Sequence, residues 1–177
     1  MIWQEYHRNL LKLAKTGDLL TKSQREAYEF IYQAVVNYEQ RINLWGNPGS
    51  GKTFLAHYLH LNKDFSYFQN IEIYREYKNS KPSSTIIIDN APYERKLARV
   101  IFDDVFWKGS INVILITREP INDTVRRINL SLTDDDVKQI QELIKQIFNV
   151  EIMEIPDNYT IQQSGIWSLL KCAVMMT

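Results

Sequence analysis

The sequence predicts an α/β fold, in which helices flank a parallel five-stranded sheet and a small C-terminal helical lid follows it. Strand-like and helix-like segments alternate along the chain, which is typical of a parallel sheet. Two apolar runs, 85–88 and 111–116, have the composition of strands that are buried on both faces. A glycine-rich loop joins a strand at 42–45 to a helix, and ligands of such sheets bind at the carboxyl ends of the strands.

The first 40 residues are predicted to form helices that pack on the core. An amphipathic helix covers 2–15, and 23–26 has the sequence of a capping box that begins a second helix. Behind this box, apolar residues recur at helical spacing as far as Tyr38. These two helices therefore make up the predicted N-terminal part, 1–40.

The core is predicted to run over 41–132 and the lid over 133–177. Beyond 42–45 and its helix, we expect strands at 67–74, 85–88, 111–116 and 128–132, and a helix from Ala91 to Trp107. Thr133 is predicted to cap the first helix of the lid, because Asp136 follows three residues later. A last helix is expected after Gly165.

The most specific motif is a phosphate-binding loop, or Walker A motif, at 46–53. It matches the pattern G-x-x-x-x-G-K-S/T at every specified position and lies between a strand and a helix. In such a loop, backbone N–H groups and the helix N-terminus converge on the phosphates. Lys52 would reach the β- and γ-phosphates and Thr53 would bind Mg²⁺. We therefore predict ATP and Mg²⁺ as cofactors of this nucleotide-binding core. The predicted nucleotide-binding residues are Gly46, Asn47, Pro48, Gly49, Ser50, Gly51, Lys52, Thr53 and Phe54.

A second predicted metal ligand, Asp89, follows the apolar run at 85–88. P-loop hydrolases place an aspartate here that holds Mg²⁺ through water. Many such ATPases carry an acid at the next position to polarise the attacking water, but here that residue is Asn90. An amide can orient a water and cannot accept its proton, so either hydrolysis is slow or another group is the base. Glu94 is a candidate for that group, although a solvated helix-surface charge is the simpler interpretation.

Two candidate sensors of the γ-phosphate, Thr117 and Arg118, follow the run at 111–116. A polar or cationic side chain beside the strand of Asp89 could contact the γ-phosphate, and the pattern does not choose between the two residues. The alternative is a loop whose charges are solvated.

An arginine pair, Arg126 and Arg127, precedes the predicted last strand. One of the two could act in trans on the ATP of a neighbouring subunit, as an arginine finger does. The pair could equally bind the acidic run 134–136 on the surface of the same chain.

The bulk composition excludes several classes of protein. The chain carries 21 basic and 21 acidic residues, so no overall positive field attracts nucleic acid or a membrane, although a local DNA contact is left open. No apolar stretch approaches the length of about 20 residues that spans a bilayer. The N-terminus lacks a cleavable signal pattern, and the lone Cys172 cannot form an internal disulfide. We expect a cytoplasmic protein without a membrane partner.

Taken together, these motifs resemble the AAA+ ATPases, and more narrowly the DnaA and Hda group of replication initiators and regulators. The resemblance is carried by 42–59, 85–92, 112–121 and the arginine pair that leads into 131–144. It implies a sensor at Thr117 or Arg118 and an arginine finger at Arg126 or Arg127.

The sequence also departs from this group. Asn90 replaces the usual acid, and Trp167 or Ser168 occupies the place of the lid arginine. We find neither the DNA-binding helical domain of an initiator nor a clamp-binding segment at the N-terminus. The resemblance therefore implies a reduced relative that holds ATP more readily than it hydrolyses it.

The predicted function is that of a slow AAA+-like P-loop ATPase. It would act as a nucleotide-dependent regulator or loader in DNA replication or a related DNA transaction, with a protein partner and a possible homo-oligomer. The alternatives are a hydrolysis-deficient nucleotide-binding adaptor and a helper ATPase of a mobile-element or defence system. A small-molecule kinase shares the phosphate-binding loop, but the strand that ends at Asp89 and the sensor-like Thr117 and Arg118 favour an ATPase.

Overall fold

A computed structural model describes residues 20–77, 83–107, 112–122 and 126–148. The predicted helix at 2–15 and the part of the lid beyond 148, with Cys172 and the lid positions Trp167 and Ser168, lie outside the described residues. None of the described helices has the length and apolar composition needed to cross a membrane.

The described residues form five parallel strands with helices between them, which confirms the predicted α/β fold. The strand order is β2-β3-β4-β1-β5, so that β1 lies between β4 and β5. The elements are α1 (Lys22–Val36), β1 (Arg41–Trp45), α2 (Lys52–Lys63), β2 (Ser66–Phe68), α3 (Ile71–Glu76), β3 (Thr85–Ile88), α4 (Arg95–Trp107), β4 (Asn112–Thr117), β5 (Arg126–Asn129) and α5 (Asp134–Phe148).

The interior strands β3 and β4 are buried along their whole length, as their apolar composition predicts. Successive side chains of a strand point to opposite faces of the sheet. Accordingly Ile87 and Ile114 pack in one apolar cluster with residues of α1 and α2. Ile86 and Val113 pack in a second cluster with residues of α3 and α4. The sheet therefore lies between two layers of helices.

The predicted strand at 67–74 is wrong beyond its first residues. The strand β2 ends at Phe68, and a short helix, α3, follows Asn70 instead. The side-chain oxygen of Asn70 accepts a hydrogen bond of 2.8 Å from the backbone N–H of Ile73, which caps the helix. The apolar residues beyond Asn70 suit a strand or a short helix equally well, and the cap decides for the helix.

Two further boundaries differ from the prediction. The last strand covers Arg126–Asn129 rather than 128–132, so the arginine pair lies within β5 and not before it. The helix expected from Ala91 begins at Arg95, because the preceding residues form an irregular turn. The backbone N–H of Ala91 in this turn donates to the carbonyl of Ile116 at 2.9 Å.

The N-termini of α1 and α5 are held by one buried carboxylate, Asp136. The predicted cap of α5 is confirmed, since the Thr133 hydroxyl accepts from the backbone N–H of Asp136 at 3.3 Å. The Asp136 carboxylate also accepts from the backbone N–H and the hydroxyl of Ser23, at 2.9 and 2.6 Å. Because Ser23 is engaged in this way, the capping box of α1 lies two residues earlier than predicted and joins Thr21 to the buried side chain of Gln24.

Candidate nucleotide-binding site

The phosphate-binding loop leaves the carboxyl end of β1 in a conformation that depends on glycine. Gly46 has a φ of 152°, and a Cβ at this position would lie 2.2 Å from the carbonyl oxygen of Leu130. Gly51 has a φ of 87° and immediately precedes Lys52, the first residue of α2. Residues with a side chain rarely adopt such angles. The two glycines therefore allow the tight turns of this loop.

The Lys52 ammonium lies inside this loop. It donates hydrogen bonds to the carbonyl oxygens of Gly46 and Asn47 at 2.7 and 2.8 Å, and it lies 3.3 Å from the Ser50 hydroxyl. Burial lowers the pKa of Lys52 from 10.5 to about 8; the negative charge of Asp89 opposes this change and the positive charge of Arg118 adds to it. The loop therefore holds a buried cation that an anionic ligand would stabilise.

The two predicted metal ligands are adjacent. The Thr53 hydroxyl at the start of α2 donates a hydrogen bond of 2.7 Å to Oδ2 of Asp89 at the end of β3. Within the described parts of the chain, no three His, Cys, Asp or Glu side chains converge on one point. One hydroxyl and one carboxylate fit Mg²⁺, which keeps several waters and takes other ligands from substrate phosphates.

The register of the sheet explains why these residues meet. In the β1–β4 pair Trp45 lies opposite Thr117, and in the β3–β4 pair Ile88 lies opposite Leu115. The residues that follow β1, β3 and β4 therefore emerge at the same edge of the sheet. Asp89, the phosphate-binding loop and the two candidate sensors share this edge.

Asn90 lies beside Asp89, but its side chain is used elsewhere. Its Nδ2 donates a hydrogen bond of 3.2 Å to the carbonyl oxygen of Gln69, and its φ is 47°. Asparagine adopts this left-handed conformation more readily than most residues. In this structure the amide thus anchors the turn after β3 to the end of β2.

The two candidate sensors occupy different environments. Thr117 is buried, and its hydroxyl accepts a hydrogen bond of 2.9 Å from Asn43 Nδ2 and donates one of 2.6 Å to the carbonyl of Glu119. Arg118 is exposed, and its charge contributes to the lowered pKa of Lys52. The hydroxyl of Thr117 is thus engaged within the protein, whereas Arg118 faces solvent near the loop.

The arginine pair lies at the opposite end of the sheet. Arg126 pairs with Ile42 at the start of β1, and the phosphate-binding loop follows the other end of that strand. Both arginines are exposed, and the Arg126 guanidinium lies 3.8 Å from the Glu39 carboxylate. Arg126 therefore forms an ion pair with Glu39, which lies outside the acidic run at 134–136. The two arginines share an open cleft of about 490 Å³ with Phe30.

Two further predicted site residues are placed outside the centre of the loop. The side chain of Phe54 packs against the apolar cluster that contains Ile87 and Ile114. Glu94 is exposed and precedes α4, where its carbonyl oxygen accepts a hydrogen bond of 2.9 Å from the backbone N–H of Ala98.

Sequence reasoning missed a buried amide, Asn43. This residue of β1 is fully buried and has all its polar atoms engaged. Its Nδ2 donates to the carbonyl of Leu115 and to Thr117, and its Oδ1 accepts from the backbone N–H of Ile121 at 2.9 Å. A polar residue within the apolar strand at 42–45 was the available signal, because buried amides are retained where they make hydrogen bonds.

Tyr67 of β2 was also missed. Its hydroxyl donates a hydrogen bond of 3.2 Å to Oδ2 of Asp89. Burial raises the pKa of Tyr67 well above its ordinary value, and the charge of Asp89 and the hydrogen bond raise it further. The phenol therefore stays protonated and remains a donor. No local motif indicates this contact, since it depends on the pairing of β2 with β3.

Comparison with known proteins identifies the fold. No protein-family model and no curated protein matches the sequence. A solved structure of the replication initiator DnaA bound to AMPPCP and single-stranded DNA is similar, with a TM-score of 0.60 and 14% identity over 89% of this chain and 62% of the other. The chain has a DnaA-like fold.

A second solved structure, AMPPCP-bound DnaA from Aquifex aeolicus, has a TM-score of 0.52 and 15% identity over 77% of this chain and 55% of the other. This chain thus covers less than two thirds of the length of either DnaA chain. The fold part of the predicted AAA+ resemblance is thereby supported, without a match at the level of sequence.

Proposed function

We propose that the chain binds ATP in the phosphate-binding loop, with Mg²⁺ held between Thr53 and Asp89. The observation that carries this proposal is the position of the Lys52 ammonium, which lies within the loop. Its hydrogen-bond partners there are two backbone carbonyls and one hydroxyl, all of them uncharged. A triphosphate would place negative charge in direct contact with this buried cation. Mg²⁺, when bound, would neutralise charge on the phosphates. That the similar DnaA structures were solved with AMPPCP supports the proposal.

The proposal extends to slow hydrolysis. Lys52 would stabilise the negative charge that develops on the phosphates, and Thr53 and Asp89 would orient the metal and its waters. The residue after Asp89 is Asn90, whose amide cannot accept a proton, so this position supplies no base. Arg118 is the better sensor candidate, because the Thr117 hydroxyl is already engaged.

The proposed role is that of a nucleotide-dependent regulator or loader in DNA replication or a related DNA transaction. ATP would order the loop edge around Lys52, Asp89 and Arg118 and so present a surface to a partner protein. In a homo-oligomer, Arg126 or Arg127 would reach the ATP of a neighbour, which their exposed position in the outermost described strand permits. The single-stranded DNA in one DnaA structure makes a direct DNA contact worth testing with labelled oligonucleotides.

Binding and turnover are tested on the purified protein with a fluorescent ATP analogue and with an assay for ADP and free phosphate. Lys52→Ala is expected to abolish binding. The matched control is Lys63→Ala, which removes a partly exposed lysine from the other end of the same helix. Equal binding by wild type and Lys52→Ala would refute the proposed site.

The second candidate function is a nucleotide-binding adaptor without hydrolysis. The hydrogen bond from the Asn90 amide to Gln69 favours it, because this bond holds the side chain toward the end of β2. A single-turnover experiment separates the two functions. The protein is mixed with one equivalent of ATP. Conversion of this ATP to ADP identifies an ATPase, whereas ATP that stays bound and unchanged identifies the adaptor.

A further inference from the structure

The end of β2 is tied to the turn that carries Asp89. The backbone N–H of Asp89 donates a hydrogen bond of 2.8 Å to the carbonyl of Phe68, and Asn90 Nδ2 donates one of 3.2 Å to the carbonyl of Gln69. The Tyr67 hydroxyl adds a third link at 3.2 Å, to the carboxylate itself. The position of the carboxylate therefore depends on β2 as well as on its own strand.

Three donors from separate parts of the chain orient this carboxylate. Oδ2 accepts from the hydroxyls of Thr53 and Tyr67, at 2.7 and 3.2 Å. Oδ1 accepts from the backbone N–H of Asn90 at 2.7 Å. Contacts on both oxygens restrict rotation of the carboxylate about its last torsion, which has a broad energy minimum in the absence of partners.

Tyr67 is itself held in place. Its backbone pairs with Ile87 in the parallel β2–β3 ladder. Its ring lies 4.3 Å, between centroids, from the ring of the buried His57 on α2. The phenol thus spans the space between the helix that begins at the phosphate-binding loop and the strand that ends at Asp89.

We propose that Tyr67 is a positioning residue that orients the Asp89 carboxylate toward the Mg²⁺ of the bound nucleotide. This inference rests on the proposed function. Mg²⁺ demands near-ideal octahedral geometry, so a carboxylate that binds its waters must be aimed correctly. Groups that hydrogen-bond to such ligands typically change metal affinity by about 10- to 100-fold when removed. A loss near the lower limit is expected here, because two of the three donors to Asp89 remain.

The test compares wild type with Tyr67→Phe, which removes the hydroxyl and keeps the ring on His57. The dissociation constant of a fluorescent, non-hydrolysable ATP analogue is measured with Mg²⁺ and with EDTA. Tyr67→Phe is expected to weaken binding about tenfold in Mg²⁺ and to leave binding in EDTA unchanged. The matched control is Tyr28→Phe. It removes the hydroxyl from a second ring that packs on the same apolar cluster, away from Asp89.

Each other outcome overturns the inference. Unchanged or tighter binding of Tyr67→Phe in Mg²⁺ would show that the phenol does not help to orient the carboxylate. Equal weakening in Mg²⁺ and in EDTA would show a general effect on the fold. Failure of wild type to bind the analogue in either condition would refute the proposed function itself, which distinguishes that failure from one of the positioning role alone.

Discussion

Raising the pH from 7 to 9 is expected to weaken nucleotide binding, because Lys52 loses its proton in this range when the loop is empty of anions. Burial is the main cause of its pKa of about 8, against an ordinary value of 10.5. A bound triphosphate places negative charge beside the ammonium and raises its pKa again. The nucleotide complex therefore holds the proton more tightly than the free protein does, and binding takes up protons.

The size of the effect follows from the pKa. At pH 7 about nine tenths of the free protein carries a protonated Lys52, and at pH 9 about one tenth does. If the complex stays protonated throughout, affinity falls about tenfold between these values, or ~1.4 kcal/mol. The Tyr67 hydroxyl contributes nothing here, because its pKa is raised and lies above this range.

Isothermal titration calorimetry with the Mg²⁺ complex of a non-hydrolysable ATP analogue measures both the affinity and the proton uptake. At pH 8, two buffers of different ionisation enthalpy should report about half a proton taken up per nucleotide bound. In Lys52→Arg the guanidinium stays charged at every pH, so its affinity, even if lower, should not change between pH 7 and 9. A flat profile in wild type, or an equal slope in Lys52→Arg, would refute the reasoning.

Three further predictions concern stability in urea unfolding experiments. Gly46→Ala should lower the free energy of unfolding by more than about 2 kcal/mol and abolish nucleotide binding, because the new Cβ would lie 2.2 Å from the backbone oxygen of Leu130. An unchanged free energy of unfolding would contradict this. Asp136→Ala should cost about 2–4 kcal/mol at pH 7, since buried donors lose their acceptor. Burial raises the pKa of Asp136, but its hydrogen bonds outweigh burial and hold that pKa well below its usual range. The stabilisation is therefore present above pH ~4 and is lost as the pH falls. An equal loss of unfolding free energy in Asp136→Ala at pH 7 and at pH 2 would contradict this. Asn90→Glu should lower the free energy of unfolding by about 1–2 kcal/mol, because position 90 has a left-handed φ and the hydrogen bond to Gln69 is lost. Asn90→Gly should lower it less, since glycine adopts this φ readily. A larger loss in Asn90→Gly than in Asn90→Glu would contradict this account of the turn.

Local sequence patterns predicted the centre of the proposed site. The phosphate-binding loop and Asp89 are each marked by their neighbours, because a loop or strand end that must approach phosphate or metal restricts the residue types nearby. The strands β3 and β4 were predicted within one residue, since strands buried on both faces must be continuously apolar. The edge strands β2 and β5 carry weaker apolar patterns, and their bounds were wrong.

The amino-acid sequence by itself determined the fold class, the loop around Lys52 and the aspartate that faces it. These features depend on residues close together in the chain. Only the tertiary structure decided that Tyr67 and Thr53 share Asp89, that Asn43 engages Thr117, and that Asn90 turns to the end of β2. Each of these contacts joins two elements whose meeting depends on strand order and register, and no local pattern encodes that pairing.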